Sequence, residues 1–256
     1  MWDAYFVTLF LFFGLSLGSF FNVVVYRLPR GMSLVSPRSH CPSCKRPIGY
    51  FDNIPVLSYL LLKGRCRHCG STISGRYPLV ESVTALLYAG LFIRFGLSIS
   101  TLVYGVLFAF LIPIIFIDID RQIIPDRLTA PGFILGMVLV PAFHFLSWRS
   151  MVLGSAVTGV FIWLLGLAGK TMLKKETLGF GDVKMLVMTG IYLGFPGNLI
   201  SLFLGAIAAM VLVVIGMLLK KMEFSNRIPF GPFIALGIIV YVYVGPELVN
   251  WYLGLF

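Results

Sequence analysis

Residues 99–120 read ISTLVYGVLFAFLIPIIFIDID. The first 19 of these carry no charge, and then two aspartates, Asp118 and Asp120, follow at once. About 20 apolar residues in a helix cross the hydrocarbon core of a bilayer. The run therefore reads as a transmembrane helix with acids at its rim. Composition extends the reading to the whole chain. Of 256 residues, 59% are hydrophobic and only 12% charged; soluble domains are roughly a quarter charged. Such an apolar surplus has no place in one soluble core, and lipid is its solvent.

Working outward, eight candidate spans emerge: 4–26, 78–94, 99–117, 128–147, 150–168, 182–195, 198–219 and 231–252. The sixth is short, and either merges with its neighbours or lies partly outside the bilayer. Met1–Tyr26 lacks a basic leader region, and its apolar run exceeds that of a secretory signal, so it reads as a retained helix. The predicted fold is an all-α polytopic membrane protein. A first helix, 1–26, leads to a cysteine-bearing loop, 27–77, and then to a seven-helix membrane domain, 78–256.

The loops divide by charge. Segments 27–77, 118–127, 169–184 and 220–230 hold 18 of the 20 Lys and Arg residues; Arg94 and Arg149 are the other two. Cytoplasmic loops carry the Lys/Arg excess. The cysteine loop is therefore expected in the cytoplasm, with both termini on the far side. The +10 net charge is explained by these topology signals and contacts with anionic lipid, and does not call for nucleic acid as a partner.

The only four cysteines form two pairs, Cys41-Pro-Ser-Cys44 and Cys66-Arg-His-Cys69, with 21 residues between them. Two such turns can present four thiolates to one tetrahedral ion, the pattern of a structural zinc site in a zinc-ribbon-like loop. A redox pair, or thiols without metal, are the alternatives; a reducing compartment argues against disulfides. Lys45, Arg46, Arg65 and Arg67 are expected to lower the thiol pKa values. His68 reads as a surface residue, since four cysteines already close the shell. So small a loop has too little core to stand alone, and a metal would supply what is missing.

Ten acids remain to be sorted. Asp52 reads as a solvated loop charge. Asp118 ends a long apolar run, and Asp182 lies in Gly179-Phe180-Gly181-Asp182, where the chain re-enters the membrane. An ionisable group at membrane depth is costly and points to function; interfacial anchoring or capping is the plain alternative. Two carboxylates at one edge suggest a shared site. Held close, they cannot both ionise cheaply, so one stays protonated while the other takes a proton from water, which is the requirement for peptide hydrolysis. The helix dipole suggests Asp182, at a helix N-terminus, as the base and Asp118, at a C-terminus, as the acid. Gly179 and Gly181 would let the backbone approach a substrate. Asp126, after Pro125, reads as an N-cap of the next helix or a supporting residue. Lys184 reads as a topology or lipid contact, and Glu81 as either a first-turn acid or a site residue.

These motifs, in order, resemble the type IV prepilin peptidase family, also called leader peptidase and N-methyltransferase. The resemblance runs through Gly18-Ser19-Phe20-Phe21-Asn22, Tyr26-Arg27-Leu28-Pro29, the two cysteine pairs, Asn53-Ile54-Pro55 and Gly75-Arg76-Tyr77-Pro78. It continues through Asp118, Ile124-Pro125-Asp126 and Gly179-Phe180-Gly181-Asp182-Val183-Lys184. It implies catalysis by Asp118 and Asp182, with Gly179, Gly181, Asp126 and Lys184 in support. It implies a zinc-type loop holding Cys41, Cys44, Cys66 and Cys69. It also implies a bacterial inner-membrane enzyme that cuts the leader from prepilins or pseudopilins after a Gly at the cytoplasmic face. Many such enzymes then methylate the new N-terminus with S-adenosylmethionine. For that activity the region 18–81 is implied, with Asn22, Arg27, Arg76 and Glu81 as candidates. A peptidase without methylation, or a transporter with an aspartate proton relay, are the competing readings. The latter would favour inverted repeats and acids at the midplane.

Overall fold

The computed structural model describes residues 2–173, 179–219 and 229–254. Most of the described residues are helical, and none of them is in a strand. They comprise α1 (Trp2–Arg27), α2 (Leu57–Leu61), α3 (Arg76–Phe95), α4 (Ile99–Arg121), α5 (Asp126–Ala142), α6 (Trp148–Leu173), α7 (Phe180–Leu218) and α8 (Gly231–Leu253). The chain forms two compact units, 1–97 and 98–256. Helix α3, expected to open the membrane domain, thus groups with α1.

In the first unit α1 and α3 pack through small residues. Gly14 and Gly18 form a GxxxG face. A Cβ at either would lie 2.6 Å from an α3 Cα, that of Ala85 or Glu81. Small residues let helix backbones approach closely where lipid offers no hydrophobic drive. Further along, Phe6 and Phe10 pack on Phe92, with ring centroids 5.5 and 5.2 Å away. The side chains pointing outward, such as Leu9, Phe12 and Phe20, are apolar and exposed, as lipid-facing positions should be.

In the second unit the decisive element is α7. A straight helix of its 39 residues would be about 58 Å long, nearly twice the hydrocarbon thickness. It is not straight. Asn198 Nδ2 donates to Leu186 O at 2.9 Å, whereas 12 residues along one helix would separate them by about 18 Å. The chain folds back at Gly194 (φ 67, ψ −178), and Pro196 starts the second arm, where its missing N–H costs nothing. Asn198 is fully buried. Its amide also reaches Thr158 Oγ1 at 2.7 Å and accepts from Thr189 Oγ1 at 2.8 Å, so the fold-back is pinned by a satisfied polar network.

Among the described residues, six helices are long and apolar enough to cross a membrane. That figure counts α7 once and omits α5, whose 17 residues reach about 25 Å. With α5 and the two arms of α7, 180–193 and 195–218, the eight expected segments are all present. The short sixth is the first arm.

Gly194 sits in a region of backbone space open essentially to glycine alone. An added Cβ would also collide with Ser150 Oγ. Gly194→Ala should therefore cost about 1–3 kcal/mol or more. Thermal unfolding in detergent measures this, and an unchanged midpoint would mean the turn tolerates a side chain.

Candidate functional site

Asp118 lies in the last turn of α4, whose end is set by Gln122 in the left-handed region, its N–H returning to Asp118 O at 2.8 Å. Asp182 lies in the first turn of α7, which starts after the extended Gly179. Both side chains are buried, with 5% and 7% of their surface exposed. Asp118 is close enough for its charge to act on Asp182.

What joins them is Ile124, in the short connection from α4 to α5. A Cβ at Gly181 would lie 3.0 Å from Ile124 Cβ, and one at Gly231 3.3 Å from Ile124 Cδ1. Ile124 thus touches the glycine beside Asp182 and the glycine beside Asp118. A Cβ at Gly231 would also lie 2.7 Å from Asp118 Oδ2, so no other residue fits there without displacement. The Gly231 N–H donates to the Asp118 carboxylate, and the Gly179 N–H to that of Asp182.

Gly231 is a site residue that the sequence reading missed; Pro232 after it, marking a helix start, was the available signal. It also removes the ground for assigning acid and base by helix dipoles. Asp118 ends α4, but it faces the N-terminus of α8, so both carboxylates meet a positive helix end.

The structure revises two supporting residues. Asp126 is the first residue of α5 and Pro125 its N-cap, without a side-chain capping bond. Asp126 instead binds Lys184, Oδ1 to Nζ at 2.5 Å. Lys184 is therefore no simple lipid contact; it ties the start of α7 to the start of α5. Asp120, two residues from Asp118, is exposed. The Asp126–Lys184 pair is 67% and 33% exposed, so it adds little stability, at most about 1 kcal/mol. Its effect should appear in rate, since a displacement of about 1 Å at a reacting centre can cost 10²-fold. Asp126→Asn and Lys184→Met should each slow catalysis about 10–100-fold with little change in melting. The exchanged pair Asp126→Lys/Lys184→Asp should recover part of the loss, and no recovery would exclude the pair as a clasp.

In the first unit the four cysteine sulfurs lie within 4.8 Å of one another, with Cys41 Sγ and Cys69 Sγ 3.8 Å apart. A tetrahedral ion with metal–sulfur bonds of about 2.3 Å needs sulfurs about 3.8 Å apart, so the cluster fits a metal. The two arms are built alike. Cys41 N–H bonds Arg46 O and Cys66 N–H bonds Ser71 O; Lys45 N–H returns to Cys41 O and Gly70 N–H to Cys66 O. Lys45 and Gly70 both have positive φ, and the bridges His40–Pro47 and Arg65–Thr72 flank the turns in the same register. This internal repeat was not evident in the sequence.

Thiol electrostatics also differ from expectation. The backbone N–H of Cys44, then the Ser71 hydroxyl, pull the Cys41 thiol down to about 5. The Cys69 thiol is lowered by Ser71. The Arg46 N–H lowers Cys44, but desolvation and the neighbouring sulfurs outweigh it and push that thiol up to about 11. Backbone and hydroxyl donors thus lower the thiols, in place of the basic side chains. Arg67 is engaged elsewhere, gripping Asp52 at 2.7–3.0 Å. Asp52 is consequently a tied residue, and the guanidinium holds its carboxyl below the usual range. His68 is exposed, as expected.

Beside this cluster is a cavity of about 720 Å³, lined among others by Asn22, Arg27, Tyr59 and Glu81. Asn22 Nδ2 donates to Tyr77 O at 3.1 Å. Glu81 Oε2 accepts from Val56 N at 2.7 Å. Arg27 is spent on Ser33 O and Pro37 O, at 2.9 and 2.6 Å, so it straps the loop together. Arg76, half-buried at the start of α3, is not part of that lining.

Two family models match the chain: the bacterial peptidase A24 N-terminal domain over residues 12–95, and the type IV leader peptidase family over 105–214. Among relatives, the prepilin leader peptidase/N-methyltransferase of Aeromonas hydrophila is 36% identical, covering 97% of this chain and 94% of its own. The protein of that name from Neisseria gonorrhoeae is 34% identical over 94% and 92%. That from Myxococcus xanthus is 40% identical over 74% and 58%. No solved structure matches.

Proposed function

Because this chain belongs to the type IV leader peptidase family, we propose that it cuts the leader from type IV prepilins or pseudopilins after a Gly and methylates the new N-terminus. The observation that carries the peptidase reading is the meeting of two buried carboxylates, Asp118 and Asp182, around Ile124. One carboxylate, ionised, takes a proton from the attacking water. The other, protonated, donates to the scissile carbonyl oxygen. As the tetrahedral intermediate collapses, the first returns its proton to the leaving amine, and the pair ends with one proton between them. Gly231 and Gly179 hold the carboxylates in place with backbone donors that need no rearrangement.

The 18-to-2 split of Lys and Arg between the two sets of loops supports a multi-pass inner-membrane protein with both the cysteine loop and the aspartates at the cytoplasmic face. Four thiolates in a closed shell suit a structural zinc ion. The cavity is of the size that takes small molecules, usually about 300–1,000 Å³. The polar groups on its lining, Asn22 among them, suit S-adenosylmethionine, which when bound supplies an activated methyl group.

The test is purified protein in detergent, a leader-bearing prepilin peptide and mass spectrometry. The expected products are a free leader and an N-methylated mature peptide. A peptide that stays uncut would overturn the reading.

A further inference from the structure

Glu81 is the buried carboxylate that peptide cleavage leaves unused. Its side chain lines the cavity of the first unit with 8% of the residue exposed. It accepts from two neutral donors, the Val56 N–H at 2.7 Å and the Ser19 hydroxyl. A carboxylate has about four acceptor sites, so two donors leave it able to accept more. The other carboxylate on the cavity lining, Asp52, is neutralised by Arg67.

The surroundings hold Glu81 in place. Gly18 brings α1 against the Glu81 backbone, since a Cβ there would lie 2.6 Å from Glu81 Cα. Val56 donates its N–H from a positive-φ turn conformation (φ 61, ψ −50), which a β-branched residue adopts only under strain. Backbone strain of this kind gathers at functional sites.

Resting on the reading that this chain methylates its product, we propose that Glu81 binds the free amino group of the cleaved substrate and takes its proton. Two cationic groups meet in that reaction. The sulfonium has no N–H to offer a carboxylate; of the ammonium groups present, the donor's own and the substrate's, only the substrate's must give up a proton to react. Glu81 also belongs to a spanning helix, α3, where a substrate anchored in the membrane presents its end; a soluble methyl donor enters from the loop. An α-amino group has a pKa of about 7.7–8.0, so at pH 7 most of it lacks a free lone pair. Glu81 takes one ammonium proton. The freed nitrogen lone pair attacks the methyl carbon, and the carbon–sulfur bond breaks with its electrons going to sulfur. A neutral thioether and a secondary ammonium result, and Glu81 passes its proton to water.

The experiment uses the full chain in detergent with a leader-bearing peptide and labelled S-adenosylmethionine. It compares the wild type with Glu81→Gln and Ser19→Ala. Glu81→Gln should cut the peptide and bind the methyl donor within about twofold of wild type, but methylate about 100-fold more slowly at pH 7. Its residual rate should climb more steeply towards pH 9, as the amine sheds its proton unaided. Ser19→Ala should show a smaller loss of the same kind, which keeps the test alive if Glu81→Gln folds poorly. Methylation at the wild-type rate, a pH profile parallel to wild type, or loss of donor binding would each overturn the role. A wild-type enzyme that cuts but adds no methyl group would instead sink the methylation reading, and this inference with it.

Discussion

Asp118→Asn and Asp182→Asn should each lower leader cleavage by about a thousandfold or more, while the protein keeps its fold. An amide is nearly the same size as a carboxyl group and still accepts a hydrogen bond. The Gly231 and Gly179 backbone donors therefore keep a partner, and no buried donor is orphaned. What the amide cannot do is take a proton from water, which is worth about 10²–10⁴ in rate, nor share one proton with its neighbour. Because the two groups act as a unit, the double variant should be scarcely worse than either single one. Cleavage of a prepilin peptide, with thermal unfolding run in parallel, is the measurement. Substantial activity in either single variant would show that the two carboxylates are not the working pair.

Removing the metal from the cysteine loop should unfold that loop and leave the membrane helices intact. The loop has little else to hold it: one helix of five residues, two short 3-10 turns and isolated bridges. Structural zinc sites contribute about 10–16 kcal/mol of apparent binding energy, which is also folding energy. A chelator, or Cys66→Ser, should speed trypsin cleavage after Arg38, Lys45 and Arg65, which are exposed but held in the folded loop, Lys45 and Arg65 in tight turns, and an unchanged digest would count against a structural ion. Acid should act in the same direction. The Cys41 thiol sits near 5 in the fold against an ordinary 9.0. The stability its thiolate contributes is complete above about 9 and lost as pH falls through 5. Cys44, at about 11, keeps its proton at neutral pH, so metal uptake there should release it.

The amino-acid sequence alone determined the membrane class, eight helical segments, the cysteine cluster and the two aspartates. All are local signals, carried by hydropathy, spacing or one short motif. Backbone course and side-chain partners were another matter. That 180–218 turns back on itself depends on Gly194 and on Asn198 meeting Leu186. Likewise Asp118 faces a helix N-terminus only because α8 arrives there with Gly231 at its tip. Lys184 finds Asp126, and Arg27 the loop carbonyls, across 58 residues and across 6 to 10. A residue type and its neighbours in the chain reveal what a side chain is able to bind. Which partner it binds is decided by the packing of helices far apart in sequence, because hydrogen bonds and close contacts act over a few ångströms of space.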